Sequence, residues 1–234
     1  MTVAEFKSPH QAAPAQADEE PLAPNVPPRR FVFENVSWEY YTQTLHELDR
    51  SGQHARVTYD RGRMEIMTVG RRHEIIKKVI GRLLERYADE SGIGIEGVGN
   101  VTCRRRDLAR GLEPDECYYV TSDYATIDDD DLLDLEKNPP PDLAVEVEVT
   151  AGLGTRREIY TELGVPEVWR FDGRRVGVLS LVGREYVPND RSRFFPDLNL
   201  LEFSEFVVRA IVNQKKVVPE YGDLLRSRKG QSNP

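Results

Sequence analysis

The sequence predicts an α+β domain. Three observations carry that expectation: a long segment with strict helical spacing follows a β-hairpin, short strand-like runs fill the middle of the chain, and the later helix and hairpin signals do not form a regular strand–helix repeat.

The elements read as follows. Residues 1 to 28 hold six of the fifteen prolines among Ala, Gln and Glu, a composition that cannot bury enough apolar surface to offset ordering entropy. The first thirty residues therefore read as a disordered tail, 31–215 as one folded domain, and 216–234 as a frayed, basic tail. Ser37 suits an N-cap, and Trp38, Tyr41, Leu45 and Leu48 mark one helical face that ends near Gly52. Arg56 to Asp60 and Met64 to Met67 alternate apolar and polar around Asp60-Arg61-Gly62-Arg63, which predicts a hairpin. From Arg71 to Glu90, the residues Ile75, Ile76, Val79, Ile80, Leu83, Leu84 and Tyr87 fall on one helical stripe. Short strands are expected at Ile93 to Glu96, Val101 to Arg104 and Glu116 to Val120. The stretch from Thr121 to Pro141, with Asp128 to Asp131 and three closing prolines, reads as a solvated loop. Leu143 to Val149 is a strand, Thr155 to Leu163 a short helix, Glu167 to Phe171 and Arg174 to Leu181 a hairpin, and Ser204 to Val212 a last helix.

Charge narrows the function. With 31% charged residues and a formal net charge of −8, the chain is not a strongly basic DNA-coating protein, although Arg104, Arg105, Arg106 and Arg110 form a local basic concentration. Cys103 and Cys117, the only cysteines, lack zinc-site spacing and read as reduced core residues. No stretch approaches the ~20 apolar residues of a membrane span, and none has the apolar core of a signal peptide. The expected location is cytoplasmic.

The informative segment is Pro141-Asp142-Leu143-Ala144-Val145-Glu146-Val147-Glu148-Val149. Alternation in a strand puts Val145, Val147 and Val149 on one face and Ala144, Glu146 and Glu148 on the other. Two carboxylates sharing a face beside a core are costly unless a cation or protons neutralise them, and a divalent metal is the economical neutraliser. A half-exposed strand whose second face meets water is the plain alternative. Upstream, Glu113-Pro114-Asp115 leads into a strand that can set Asp115 beside Glu146, completing the carboxylate shell that Mg²⁺ or Mn²⁺ takes.

Pro114-Asp115, the strand Asp142 to Val147, Ile159-Tyr160 and Leu163-Gly164-Val165-Pro166-Glu167-Val168-Trp169 resemble the Uma2 family (DUF820) of endonucleases, a branch of the PD-(D/E)XK nuclease superfamily. The resemblance runs from about Phe33 to Val212. It implies a restriction-endonuclease-like, α/β/α-like core with a central mixed sheet flanked by helices, and Asp115 and Glu146 as metal ligands in a nuclease acting on nucleic acid, DNA first. The superfamily lysine two residues after the acidic strand residue is replaced by Glu148, and no lysine occurs between Lys137 and Lys215. In related sequences a lysine stands four residues before a helix tyrosine. Arg156, ahead of Tyr160, matches that place.

The expected catalytic set is thus Asp115, Glu146, Glu148 and Arg156, with Asp115, Glu146 and Glu148 around the metal and Arg156 steadying the scissile phosphate. Arginine stays protonated and cannot serve as a general base, so water activation falls to the metal. His73, Arg105 and Arg157 are candidate substrate contacts, and Glu74 a further helix carboxylate; a core-edge histidine and a favourable first-turn glutamate are the plainer readings of His73 and Glu74. Asp142 reads as a strand start, and Tyr160 and Trp169 as core aromatics. A catalytically degenerate nuclease-fold module that binds nucleic acid or protein is the alternative function. Monomer and homodimer both stay open.

Overall fold

A computed structural model describes residues 29–121, 132–148 and 154–231. The proline-rich expectation for residues 1 to 28, the run Asp128 to Asp131, and Val149 lie outside the described residues.

In chain order the elements are β1 (Arg30–Phe33), α1 (Trp38–Arg50), β2 (Arg56–Asp60), β3 (Arg63–Met67), α2 (Arg71–Ser91), β4 (Glu96–Gly99), β5 (Thr102–Arg105), β6 (Arg110–Leu112), β7 (Glu116–Tyr119), β8 (Leu132–Asp134), β9 (Leu143–Val147), α3 (Thr155–Leu163), β10 (Glu167–Phe171), β11 (Val176–Val182), β12 (Glu185–Asn189), α4 (Leu200–Val212) and α5 (Gln214–Gln231). The fold is mixed α+β.

Among the described residues the strands form two six-stranded sheets, ordered β1-β3-β2-β6-β5-β8 and β12-β11-β10-β9-β7-β4. Each is mixed, since β5 runs parallel to β8 and β9 parallel to β10 while the other pairs are antiparallel. The resemblance implied one central sheet. The division arises because β6 bridges β2 and β5, which builds the early hairpin into a sheet of its own, while β7 pairs with β9 in the other.

Local signals explain most boundaries. Ser37 accepts the backbone N–H of Tyr40 as N-cap of α1. In the β2–β3 turn, Arg61 (φ 48°) and Gly62 (φ 95°) both take the left-handed backbone that a two-residue hairpin requires. α1 lays Tyr41 and Leu45 on Val57, Tyr59 and Met64 of the first sheet, with the Tyr41 and Tyr59 rings stacked at 4.7 Å. Gly111 in β6 makes this possible, because a Cβ there would stand 2.3 Å from the Tyr41 hydroxyl.

α2, α4 and α5 cover one face of the second sheet, burying Val145, Val147, Trp169 and Phe171. Its other face joins α3 and the first sheet in a separate core holding Ala144, Ile159, Tyr160, Cys103 and Cys117. The expected alternation of the Glu146 strand is therefore present, but both of its faces are buried.

Three readings need correction. The segment read as a C-terminal tail is helix α5, whose Val217, Val218 and Tyr221 enter the main core; Pro219 and the surrounding charges hide its apolar stripe. The expected loop before Pro141 contains β8, held by the buried Leu132 and Leu133. β4 begins at Glu96, where the strand at Ile93 to Glu96 was expected to end. β1 and β12 carried no sequence signal, being edge strands whose residues are largely exposed. No helix among the described residues is long and apolar enough to cross a membrane.

Candidate active site

Asp115 and Glu146 meet where the two sheets face each other. Asp115 immediately precedes β7, and its backbone N–H donates to Val145 (3.1 Å) while its side chain accepts the N–H of Val147 (2.7 Å). These two bonds fasten Asp115 to β9 on either side of Glu146. Both side chains are buried, at 2% and 1% exposure.

The group that joins them is Arg56, at the start of β2. Its Nη1 pairs with Oδ1 of Asp115 at 2.9 Å and its Nη2 donates to Oε2 of Glu146 at 2.7 Å. Arg156 and Tyr160, one turn apart on α3, both donate to Oε1 of Glu146, and Arg156 also donates to Thr58 Oγ1 and to the Glu113 carbonyl, each at 2.8 Å. His73, in the first turn of α2, reaches Oδ2 of Asp115 at 3.1 Å. All four carboxylate oxygens are thus engaged by groups of the chain itself.

Electrostatics follow from this contact set. Burial alone would raise the pKa of Asp115, but Arg56, then the hydrogen bond and charge of His73, outweigh it and hold the carboxyl below its usual range. Burial pulls His73 down, yet Asp115 leaves it raised overall. For Arg56, the charges of Glu146 and Asp115 outweigh burial and the repulsion of Arg156, leaving the guanidinium more firmly protonated. Tyr160 is raised well above the usual phenol value by burial and then by Glu146. Glu148 lies just past β9 and pairs with Arg170 Nε at 2.8 Å; burial, reinforced by Glu146, pushes it up to about 7.

Of the expected site residues, the structure gathers Asp115, Glu146, Arg156 and His73 into one cluster and sets Glu148 beside it with Arg170 as partner. Arg105 pairs with Asp107 through two hydrogen bonds, and Arg157 donates to the Tyr186 carbonyl, so neither makes these contacts at the cluster. Glu74 pairs with Lys77 at 3.7 Å. A cavity of about 730 Å³ opens beside the cluster, lined among others by Arg56, Glu74, Lys77, Asn100, Glu113 and Asp115.

Sequence reasoning missed Arg56. The alternation from Arg56 to Asp60 predicts only a hairpin, whereas β2 is buried on both faces with Arg56 and Thr58 at 7% and 9% exposure. The metal-only account of charge neutralisation also changes, because two guanidinium groups already balance two carboxylates. Among the described residues, no group of three or more His, Cys, Asp and Glu side chains could hold a metal ion. The Gly-Val-Pro-Glu-x-Trp block proves structural: buried Glu167 accepts Trp169 Nε1 (2.7 Å), Ser192 Oγ (2.5 Å) and the Arg193 N–H (2.9 Å).

An α+β domain whose inter-sheet junction carries paired carboxylates beside a cavity is the class of protein in hand. The family model Uma2, described as "Putative restriction endonuclease", matches residues 38–210, and the chain belongs to that family. Among solved structures, it is similar to a protein of Anabaena variabilis described as a "putative nuclease belonging to DUF820", with 14% identity and a TM-score of 0.43 over 63% of this chain and 90% of that one. No curated protein matches it.

Proposed function

We propose that the chain hydrolyses phosphodiester bonds in nucleic acid, with DNA as the first substrate, and that Mg²⁺ or Mn²⁺ is its cofactor. The observation that carries this reading is the convergence of Asp115, just before β7, and Glu146 of the neighbouring β9, with Asp115 lining the adjoining cavity, in a chain of a restriction-endonuclease family.

The ligand types fit the ion: carboxylate oxygens are the hard donors Mg²⁺ takes, and Asp115 and Glu146 would hold it. When bound, it would lower the pKa of a water and offset phosphate charge. Since every one of these oxygens is already engaged, entry requires Arg56 to give way. Arg156 keeps Glu146 oriented and remains a cation for the phosphate. In the slot of the superfamily lysine, Glu148 titrates near neutrality and can accept a proton, which Arg156 cannot. His73, whose pKa Asp115 raises, can also hold and release a proton.

The test is incubation of the full chain with supercoiled plasmid, linear DNA and single-stranded RNA, with Mg²⁺ or Mn²⁺ and with chelator. Nicking that needs the ion and disappears in folded Asp115→Ala is the expected result. No cleavage of any substrate overturns the reading. Sedimentation with and without DNA distinguishes a monomer from a homodimer.

One observation favours a second reading, a non-catalytic nuclease-fold module binding nucleic acid or protein: the carboxylate pair is neutralised internally while Glu148 stands in the lysine slot. Such a module binds its partner without cutting, and its affinity is unmoved by chelator.

A further inference from the structure

We infer that Arg56 is a built-in cation occupying the place between Asp115 and Glu146, so that Arg56 and a divalent ion bind there in mutual exclusion. The inference deepens the proposed function and rests on it only for the identity of the competing ion.

Geometry comes first. The two terminal nitrogens of one guanidinium reach the two carboxylates separately, at 2.9 and 2.7 Å, inside a pocket where Arg56 is only 7% exposed. A planar fork suits this bridging, and a point charge cannot reproduce its two directed bonds. Charge comes second. Arg56 and Arg156 together balance Asp115 and Glu146, so the closed cluster offers no excess negative charge to attract a divalent ion. Removing Arg56 leaves two carboxylates against the single charge of Arg156.

The closed arrangement also carries its own discomfort. Nε of Arg56 is buried with no hydrogen-bond partner among the described residues, and the same holds for Nε of Arg156. A buried N–H without an acceptor is costly, and moving the side chain toward the adjoining cavity, which Arg56 already lines, lets water satisfy it. Arg156 repels Arg56 in addition. Arg56 is therefore the cation of the cluster with a way out: its further bond, to the Glu113 carbonyl, is long at 3.4 Å, whereas Arg156 donates to that carbonyl and to Thr58 Oγ1 at 2.8 Å each as well as to Glu146.

Mn²⁺ binding to the full chain tests this without reference to cleavage. Isothermal calorimetry and thermal unfolding are run on wild type, Arg56→Gln and Arg56→Lys. Arg56→Gln should bind Mn²⁺ at least tenfold more tightly than wild type and gain a larger rise in melting temperature from it. Arg56→Lys, which keeps the charge but loses the fork, should fall between. Equal or weaker Mn²⁺ affinity in Arg56→Gln overturns the inference. If Arg56→Gln does not fold, Arg56→Lys decides: tighter binding than wild type upholds the inference, and unchanged or weaker binding overturns it. Tighter binding by the variants with no cleavage by any form upholds the inference and removes the nuclease reading. Cleavage by the wild type with no gain in affinity in the variants does the reverse.

Discussion

Nε2 of His73 stands 3.1 Å from Oδ2 of Asp115, an oxygen that also accepts the Val147 N–H at 2.7 Å. One carboxylate oxygen thus ties the start of α2 to β9. Because the folded pKa of His73 lies above the usual 6.5, its contribution is fully present below 6.5 and is lost as the pH rises through the raised value. Asp115, held below 3.8, stays ionised throughout that window and loses its contribution only in more acidic solution. Wild type should therefore exceed His73→Gln in melting temperature by roughly 3–6 °C at about pH 5.5, the size of a charge-assisted hydrogen bond in a chain of this length. The gap should narrow toward about pH 9. A gap that is constant across the range would show that the contact does not depend on the histidine charge.

Glu148 gives a prediction of opposite use. Its pKa is raised from 4.5 to about 7 by burial and by the nearby Glu146, so the folded state favours the protonated carboxyl. Stability linked to that proton is complete below 4.5 and is lost as the pH rises through about 7. Without metal, Glu148→Gln should melt roughly 2–4 °C above wild type at about pH 8, with the difference vanishing near pH 4. Paired unfolding curves across that range decide the matter, and a destabilised variant at about pH 8 would mean that the ion pair with Arg170 outweighs the cost of burial.

Glu167 is fully buried beneath three donors from Trp169, Ser192 and Arg193. Glu167→Ala strands all three, and each unsatisfied buried donor costs about 1–3 kcal/mol. We expect a loss of about 3 kcal/mol or more in urea unfolding. A loss under about 1 kcal/mol would mean that neighbouring groups take over these donors.

Truncation after Asn213 tests the C-terminal helix. It removes Val217, Val218 and Tyr221 from the main core, and burying each such side chain contributes about 1.5–3 kcal/mol. The sum rivals the 5–15 kcal/mol total stability of a domain. The truncated chain should lose its cooperative thermal transition; retention of a melting temperature near that of wild type would make α5 an appendage.

The sequence by itself determined the elements whose signal is local: the stripe of α2, the Ser37 cap, the hairpin at Asp60 to Arg63, the short helix carrying Arg156 and Tyr160, and the alternation that separates Val145 and Val147 from Glu146. It also singled out Asp115, Glu146 and Glu148, because acidic residues at strand spacing beside apolar neighbours require a compensating charge wherever the strand lies; His73 stood out by its place at the start of α2, and Arg156 only through the resemblance to the family. What supplies that charge was decided only by tertiary structure. Arg56 is ninety residues from Glu146 in the chain, and nothing in Arg-Val-Thr-Tyr-Asp tells a solvent-facing arginine from one buried beneath a second sheet. The division into two sheets has the same origin, since strand pairing across β6 is a non-local choice that leaves no mark on the periodicity of any one strand. Helix α5 was hidden because its polar residues and Pro219 dilute the apolar stripe, and its stability comes from packing against α2 and α4 rather than from helix propensity.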